Sequence, residues 1–490
     1  MVDSTFLLND EQMRAFISNG FVKIETQLPK EFHQRIYEQT EEAFEKDGNP
    51  GNNILPRVPE LGKVFSDPSV VGGLTSVLGP DYVMHVHRHP HVNRGPNEGG
   101  GWHKDSYWGF KKIRSHRTRW AMIFYYPQDT PLENGPTGVM PGTHCSESRC
   151  ENEKDEQHLP ITGEAGTCAL VHFDLWHRAY PNTKDKMRYM MKFQFTRMSE
   201  PVAPAWNCSD HSWLGSTDQF LWARHWDWHI GGSSQTPRSN LSVDSLCADL
   251  DDEDDSIRLR AISGLGFSGE SSVKTIGVLA ESLSDTNELV RLNAAYVLGS
   301  MGSPAVSVLS DCLSDESEEV RLVAAHGLAQ MGSAAVPVLL EGLKSADALR
   351  RAHCAFSLGD MGKLSGAGAG VALAKLIRDE SELVRFTVAE ALGFVPYESE
   401  QVVSALCSLL KDESGQVRYE AAYGLARIGS KAGSAVKALT EALYDEDNRY
   451  VSGHSATALQ RIQSPEANES LINYLSSSRW CSMTNKESTF

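Results

Sequence analysis

Residues 101–105 read GWHKD and residues 175–177 read LWH, and these two segments indicate the fold and chemistry of the first half of the chain. His103 and Asp105 are two residues apart, so on a strand their side chains point to the same face, as two ligands of one metal must. His177 can supply a second imidazole from a distant strand. Two imidazoles and one carboxylate are the ligand set of a non-haem Fe(II) centre that keeps positions open for a co-substrate and O₂.

Arg188 follows His177 by 188 − 177 = 11 residues. The planar guanidinium group of arginine can hold a carboxylate through two parallel hydrogen bonds. At this spacing Arg188 could bind the far end of a dicarboxylate. An H-x-D pair alone is a weak signal, but with the second histidine and the arginine it becomes a strong one.

Further motifs flank these residues. The chain reads FISNGFVKI from Phe16, NGPTGVMPGTH over residues 134–144, and HRAYPNTKDKMRYMMKFQF from His177. In order and spacing these stretches resemble the phytanoyl-CoA dioxygenase family of Fe(II)/2-oxoglutarate oxygenases, over residues 5–200. The resemblance implies a double-stranded β-helix, a jelly-roll or cupin-like barrel with flanking helices, that holds the metal in its mouth.

The resemblance also implies roles for individual residues. His103, Asp105 and His177 correspond to the iron ligands and form the catalytic centre, and Arg188 corresponds to the 2-oxoglutarate anchor. Asn93 is a candidate for a further co-substrate contact. The implied cofactors are Fe(II) and 2-oxoglutarate with O₂, and ascorbate is a candidate activator.

Two positions refine this expectation. Asp105 is present, whereas relatives that halogenate lack the carboxylate, so the resemblance implies hydroxylation or an outcome derived from it. Many relatives place a serine two residues after the distal histidine, where this chain has Ala179. One co-substrate hydrogen bond is therefore missing or comes from another residue.

A basic cluster follows the metal motif and consists of Lys111, Lys112, Arg114, Arg117 and Arg119. One interpretation is a solvated loop and strand edge. The other is that Arg117 or Arg119 faces the barrel mouth and pairs with an anionic substrate. Tyr107 and Trp108 could form an aromatic wall of the substrate site, although core packing explains Trp108 equally well.

Four histidines alternate along one segment, His85, His87, His89 and His91. On a strand they would line one face, and His-rich tracts can bind metal. A cupin-like set would combine His87, His89 and Glu98. The spacing to Glu98 is poor, so packed or hydrogen-bonded imidazoles of a barrel strand are the favoured interpretation, with His89 or His91 lining the cavity.

A motif recurs after residue 242, as in ELVRLNAAYVLGSMG and EEVRLVAAHGLAQMG. Its arginines are Arg258, Arg291, Arg321, Arg351, Arg385 and Arg418, at steps of 33, 30, 30, 34 and 33 residues. A period near thirty predicts a solenoid of helix pairs. The repeated sequence resembles HEAT-like repeats of the bilin-lyase type over residues 242–475, with a degenerate seventh copy.

Within one copy, Val290, Ala294 and Leu298 form an apolar stripe, and Gly299 and Gly302 are expected to end the helix. The motif arginines and the repeat aspartates, Asp285, Asp315 and Asp412, are expected to form a structural ladder between neighbours.

Another enzyme class builds a di-iron site from His-Glu dipeptides on HEAT repeats. The repeats here contain His326, His353 and His454, and none of these histidines is followed by glutamate. The missing His-Glu dipeptides argue against that class. The repeats are better interpreted as a scaffold that covers the active-site mouth, self-associates, or binds a protein partner on its concave face.

Length and charge support a two-domain protein. The 490 residues exceed what one core organises, and we predict a dioxygenase domain over 1–235, a linker at 236–241, the repeats over 242–475 and a polar tail over 476–490. The net charge of −18 argues against nucleic acid or an anionic membrane as partner. Scattered cysteines and an N-terminus unlike a secretory signal predict a cytoplasmic protein.

Two function classes follow. The first is an active dioxygenase that hydroxylates a small organic substrate, and the basic cluster favours an anionic one. The second is an interaction protein that uses its repeats and carries a vestigial or regulatory barrel. Such a protein is expected to lose its ligands, whereas His103, Asp105, His177 and Arg188 are all present, which favours the enzyme.

Overall fold

The computed structural model describes residues 2–106, 112–148, 158–213, 219–232, 241–396, 400–445 and 448–477. Within these ranges the chain forms two antiparallel sheets with flanking helices, followed by an array of helix pairs. The predicted barrel and all-α repeat region are both confirmed. Apart from Leu241, the predicted linker lies outside the described residues, as does the tail beyond Ser477, so the domain boundaries stay predictions.

The described strands form two sheets that face each other. They are β1 Phe21–Glu25, β2 Tyr82–Arg94, β3 Trp120–Tyr125, β4 Thr137–Val139, β5 Leu159–Pro160, β6 Thr167–His172, β7 His177–Ala179 and β8 Met187–Arg197. The first sheet has the order β1-β6-β3-β8-β2 and the second has the order β5-β4-β7. A bridge between His103 and His177 adds one further antiparallel pair beside the second sheet.

Strand β8 illustrates why these sheets form. Its side chains alternate between two environments because the side-chain period of a strand is two. Phe193 faces outward and stacks on Phe65, with ring centroids 4.0 Å apart. Met190 faces the space between the sheets and joins a second apolar cluster with Met122 and Phe124. The outer face therefore packs on helices, and the inner face lines the barrel.

Five α-helices lie in the described part of the barrel region. They are α1 Asp10–Asn19, α2 Lys30–Asp47, α3 Ile54–Arg57, α4 Pro68–Leu78 and α5 Phe220–His229. Helix α1 begins with a capping box, in which Asn9 accepts from the Gln12 backbone and the Gln12 side chain accepts from the Asn9 backbone. It ends at Gly20, whose left-handed backbone favours glycine.

The repeat array consists of long inner helices that alternate with shorter outer ones. They are α6 Val243–Ala248, α7 Asp255–Ser268, α8 Val273–Glu281, α9 Glu288–Met301, α10 Val306–Cys312, α11 Glu318–Met331, α12 Val336–Gly342, α13 Ala348–Met361, α14 Ala367–Leu373, α15 Glu382–Leu392, α16 Glu400–Leu409, α17 Gly415–Ile428, α18 Val436–Ala442, α19 Arg449–Ile462 and α20 Pro465–Ser477. Each motif arginine lies near the start of an inner helix.

The predicted ladder joins most neighbouring repeats. Arginine and aspartate pair as Arg258–Asp285, Arg321–Asp347, Arg351–Asp379, Arg385–Asp412 and Arg418–Asp445. The prediction is confirmed for Asp285 and Asp412. Arg291 instead donates to the carbonyls of Asp285 and Thr286, and within the described ranges it binds no carboxylate, so Asp315 does not take part as predicted.

The prediction for the end of α9 was half right. Gly302 follows the last helical residue and has a φ of 67°. Gly299 lies inside the helix, where a Cβ would stand 2.5 Å from the carbonyl oxygen of Gly327 on α11. Glycine at 299 thus permits the close approach of two inner helices.

By length and composition alone, one stretch, Glu318–Gly342, is apolar enough to cross a membrane. It comprises α11 and α12 joined by a short 3₁₀ turn, and 61% of its most apolar window is buried inside the protein. Core helices of folded domains pass the same test, so this stretch is an ordinary part of the array. The seven cysteines within the described ranges are free thiols, of which Cys168 and Cys354 are buried and Cys312 is partly buried.

Candidate metal centre

His103 and His177 lie directly opposite each other. Each donates its backbone N–H to the carbonyl of the other at 3.0 Å, and their ring centroids are 4.4 Å apart. The Nδ1 of His103 hydrogen-bonds the carbonyl of Gly101 at 3.0 Å, and the Nδ1 of His177 hydrogen-bonds that of Leu175 at 2.9 Å. Because Nδ1 carries the proton in both rings, each Nε2 has a free lone pair for a metal.

Asp105 completes the group. Its Oδ2 is 3.6 Å from the Nε2 of His177, and the three ligand atoms all lie within 4.8 Å of one another. Oδ2 is buried and has no hydrogen-bond partner among the described residues. Oδ1 accepts a hydrogen bond from the Nζ of Lys192 at 2.7 Å. One carboxylate oxygen is therefore held by the protein while the other is left for a ligand.

The protonation states of these residues suit a divalent metal. Burial lowers the pKa of His177 to about 4, so the ring is neutral at physiological pH. Burial alone would raise the pKa of Asp105, but Lys192 and His177 outweigh it and hold that pKa well below its usual range. An anionic carboxylate beside the neutral imidazole of His177 fits Fe(II), and three protein ligands leave positions open on the metal.

A glycine-rich loop brings His103 to this position. Residues 97–103 run antiparallel to residues 177–182, and Gly100 donates its N–H to the carbonyl of Ala179 at 2.9 Å. Gly99 has a φ of 82°, and a Cβ there would meet the same carbonyl oxygen at 2.5 Å. The loop can therefore lie against the second sheet only with glycine at 99.

Arg188 lies deep in the barrel, 2% exposed. Its Nε donates to the carbonyl of Gly135 at 2.9 Å, and its guanidinium carbon is 5.9 Å from the ring centroid of Tyr126. Within the described part of the chain this is the only hydrogen bond of the guanidinium group, so both terminal nitrogens are available to a carboxylate.

Asn93 lies directly opposite Arg188 on β2, but its amide is already engaged. The Nδ2 donates to the carbonyls of Gly135 at 3.0 Å and Tyr180 at 2.9 Å, and the Oδ1 accepts from Asn97. In this structure Asn93 supports the loop that Arg188 also contacts, rather than presenting a free amide to a co-substrate.

Comparison with known proteins agrees with the fold. Residues 11–190 match the family model of phytanoyl-CoA dioxygenase, and segments from 243 to 480 match HEAT repeats. The chain joins a phytanoyl-CoA dioxygenase domain to a HEAT-repeat array. Membership of the first region in this family indicates an oxygenase. A comparison with curated proteins found no match.

Several solved structures resemble the dioxygenase domain. A non-heme monooxygenase, ThoJ in complex with Ni, is 16% identical and the match covers 40% of this chain and 82% of that one, with a TM-score of 0.32. The α-ketoglutarate-dependent carbocyclase SnoK from nogalamycin biosynthesis is 17% identical over 39% and 85%, with a TM-score of 0.32. EctD from S. alaskensis with 2-oxoglutarate and 5-hydroxyectoine is 17% identical over 41% and 80%, with a TM-score of 0.34.

Lys192 of the dioxygenase domain was not anticipated from the sequence. It is the lone charged residue between Arg188 and Arg197 on β8, and this is the signal that could have found it. Lys192 lies four positions after Arg188 and four positions before Thr196. At the rise of a β-strand it is therefore about 13 Å from each of them. Because the Thr196 hydroxyl is 2.5 Å from the Tyr423 hydroxyl of α17, the array lies at the end of the barrel opposite Arg188.

Three residues of the basic cluster, Lys112, Arg117 and Arg119, pair with carboxylates of the array. Arg119 donates to Asp360 of α13 at 2.9 Å and pairs with Glu200 at 3.1 Å. It is 4% exposed, so the solvated interpretation is wrong for this residue. Arg117, predicted as a substrate contact, instead pairs with Asp360 at 3.4 Å. These cations connect the two regions because each finds a buried carboxylate across the interface.

Lys112 repeats this arrangement with α15 and α17. Its Nζ is 3.1 Å from Glu390 and 3.7 Å from Glu420. Beside it lies a cavity of about 80 Å³. Its walls include Ser106, Trp120 and Phe173 of the barrel and Phe386, Tyr419 and Glu420 of the array. Ser106 directly follows Asp105 in the chain, although His103, Asp105 and His177 are not among the described residues that line this cavity. Tyr107, Trp108 and Lys111 lie outside the described residues.

The alternating histidines serve the same interface. His85 hydrogen-bonds His454 of α19 at 3.1 Å, and His87 hydrogen-bonds the Tyr450 hydroxyl at 2.9 Å. Lys192 lies directly opposite His89 on the neighbouring strand, and its charge adds to burial in lowering the pKa of His87, His89 and His91. Packed and hydrogen-bonded imidazoles are thus confirmed, and the described residues contain no metal group made of His87, His89 and Glu98.

Proposed function

We propose that this chain is an Fe(II)- and 2-oxoglutarate-dependent dioxygenase that hydroxylates a small organic substrate. The observation that carries the proposal is the buried, unpartnered Oδ2 of Asp105, which converges with the Nε2 atoms of His103 and His177. A buried carboxylate oxygen without a partner costs free energy. A metal at this point would remove that cost.

Bound Fe(II) would supply activation of O₂ coupled to decarboxylation of 2-oxoglutarate. The protein's own residues have separate tasks. The carbonyls of Gly101 and Leu175 keep both Nε2 atoms directed at the metal. Lys192 keeps Asp105 anionic and orients it through Oδ1.

Arg188 would bind the far carboxylate of 2-oxoglutarate through its terminal nitrogens. Thr137 is a candidate for the hydroxyl contact that Ala179 cannot make. The two residues are directly opposite each other on β4 and β7, so their side chains share a face. Thr137 is buried and adjoins Tyr126, the ring beneath Arg188.

The substrate would bind at the end of the barrel that the array contacts. The cavity beside Ser106 is small and is enclosed by both regions, which favours a small molecule over a protein segment. In the described part of the basic cluster, Lys112 is already paired with Glu390, and Arg117 and Arg119 with Asp360. Arg114 pairs with Glu147 of its own domain. These paired cations therefore give no reason to propose an anionic substrate, although the basic cluster in the sequence had favoured one.

The alternative function is a scaffold with a vestigial barrel. Such a scaffold would offer the concave face of its repeats to a partner. Here the inner helices use Asp360, Tyr423 and His454 to contact the chain's own dioxygenase domain. This internal use of the face favours the enzyme.

The test measures binding and turnover separately. Under anaerobic conditions, wild type is expected to bind one Fe(II) and then one 2-oxoglutarate by calorimetry, and in air to form succinate. His103→Ala is expected to lose Fe(II) binding and succinate formation. His211→Ala, which changes an exposed histidine outside the group, is the matched control and should behave as wild type. If wild type binds neither Fe(II) nor 2-oxoglutarate, the proposal is wrong.

A further inference from the structure

A second convergent group of metal-ligating side chains lies apart from the iron triad. His116, Cys145 and His225 place one ligand atom each within 4.8 Å of one another, and all three are buried. His116 precedes β3, Cys145 follows the GTH motif, and His225 lies on α5. Three separate segments of the dioxygenase domain therefore meet at this point.

A fourth donor comes from the repeat array. The Tyr296 hydroxyl on α9 is 3.0 Å from the Nδ1 of His116 and 3.5 Å from the Nε2 of His225. The second distance is at the outer limit for a hydrogen bond. The thiol of Cys145, 3% exposed, makes no hydrogen bond within the described ranges. The group is thus convergent but loosely bonded internally.

The electrostatic setting suits metal binding. Burial lowers the pKa of His116 well below its usual value and that of His225 to about 3, so both rings are neutral with a lone pair available. Burial raises the pKa of the Cys145 thiol, and nearby Lys104 opposes that rise. A bound divalent cation would displace the thiol proton, as metals do at cysteine ligands.

We propose that His116, Cys145 and His225 bind a structural Zn²⁺, with the Tyr296 hydroxyl as the fourth donor. Thiolate and imidazole are the ligands that tetrahedral Zn²⁺ prefers in proteins. On binding, the Sγ–H proton of Cys145 leaves to solvent and a Zn–S bond forms, with no change of oxidation state. Because Tyr296 belongs to α9 and the other ligands belong to the dioxygenase domain, the ion would fasten the array to the barrel.

This proposal does not depend on the iron site, and the experiment separates the two. Metal-free full-length protein is loaded with Zn²⁺ alone or Co²⁺ alone, and bound metal is counted by atomic emission after gel filtration. The His103→Ala background removes the iron triad. In that background we expect one equivalent of Zn²⁺, and for Co²⁺ a thiolate-to-cobalt charge-transfer band.

Cys145→Ser in the same background is expected to lose the equivalent of metal and the charge-transfer band. Cys312→Ser, which changes a partly buried cysteine on α10, is the matched control and should keep both. Since Cys145→Ser could fail to fold, a second measurement uses His103→Ala alone, whose unfolding temperature should rise with Zn²⁺ concentration. The proposal fails if His103→Ala binds no metal and shows no such rise, or if folded Cys145→Ser keeps its equivalent.

Discussion

Replacing Asp360 with alanine would remove the carboxylate that two arginines of the dioxygenase domain share. Asp360 lies on α13 and is 4% exposed. Its Oδ1 accepts from Arg119 at 2.9 Å and from the Ser115 hydroxyl at 2.7 Å. Its Oδ2 is 3.4 Å from the Nε of Arg117. Burial would raise the pKa of Asp360, but the two arginines outweigh burial and hold that pKa below its usual value.

The expected loss in the free energy of unfolding depends on the arginine charges that stay buried after the substitution. Removing one partner of a buried ion pair costs about 3–5 kcal/mol, because the other charge stays buried without compensation. Arg119 keeps Glu200 as a partner at 3.1 Å, and Arg117 is less buried, with 11% of its side chain exposed. We therefore expect the lower end of that range, a loss of about 3 kcal/mol in the free energy of unfolding.

Urea unfolding followed by far-ultraviolet circular dichroism and by the fluorescence of the ten tryptophans would measure this loss. One hydrophobic cluster runs from the outer face of the barrel into the repeats, so we expect both probes to report a single transition. Asp244→Ala is the control. Asp244 also pairs with a cation, Lys274 at 2.5 Å, but its side chain is 83% exposed, and no measurable change is expected.

The reasoning about the interface would be refuted by two results. The first is an Asp360→Ala variant as stable as wild type. The second is a loss of equal size in Asp244→Ala, which would show that burial of the pair does not decide its contribution. Asp360→Asn should fall between alanine and wild type, because the amide oxygen still accepts from Arg119 while the charge is gone.

Three further predictions concern other parts of the molecule. Arg188→Met should weaken 2-oxoglutarate binding at least about thirty-fold, near 2 kcal/mol, without weakening Fe(II) binding, as measured by anaerobic calorimetry; unchanged 2-oxoglutarate affinity would contradict the anchor role. Burial lowers the pKa of His454 from 6.5 to about 3, so the stability that its neutral ring provides is complete above pH 6.5 and is lost as pH falls toward 3. His454→Gln should therefore flatten the dependence of unfolding free energy on pH in this window by up to about 1.4 kcal/mol per pH unit; an unchanged slope would mean that His454 is already charged. Arg385→Ala should destabilise the array by about 1–3 kcal/mol more than Arg291→Ala in urea unfolding. Of these two arginines only Arg385 binds a carboxylate, that of Asp412, whereas Arg291 binds backbone carbonyls. Equal losses would show that the hydrogen bonds to carbonyls, and not the ion pairs, provide the stability of the ladder.

Local sequence patterns predicted those structural features of this protein that depend on short-range spacing. The two-residue spacing of His103 and Asp105 predicted one metal-facing edge, and the structure brings both together with His177. The arginine period predicted the helix pairs and most of the ladder. Gly299 shows the limit, since a glycine near a helix end looks like a cap, and only its distance to Gly327 reveals a close approach.

The sequence could not show where charged side chains find their partners. Arg117 and Arg119 looked like candidates for solvent or substrate because their carboxylates, Asp360 and Glu200, are distant in the chain. Helix α9 likewise has a predicted apolar stripe, yet Asn293 and Tyr296 on its other side are also buried. The barrel covers that side, and no periodicity within one repeat reports it.

The sequence by itself predicted the candidate ligand pair His103 and Asp105, the barrel and the repeat period, because each is signalled by residues a few positions apart or by a regular spacing along the chain. Only the tertiary structure decided that the array packs against the barrel, that Lys192 holds Asp105, and that His116, Cys145 and His225 converge. These are contacts between segments remote in sequence. Their free energies come from burial and pairing of charges across an interface, and such terms exist only after the two regions have packed together.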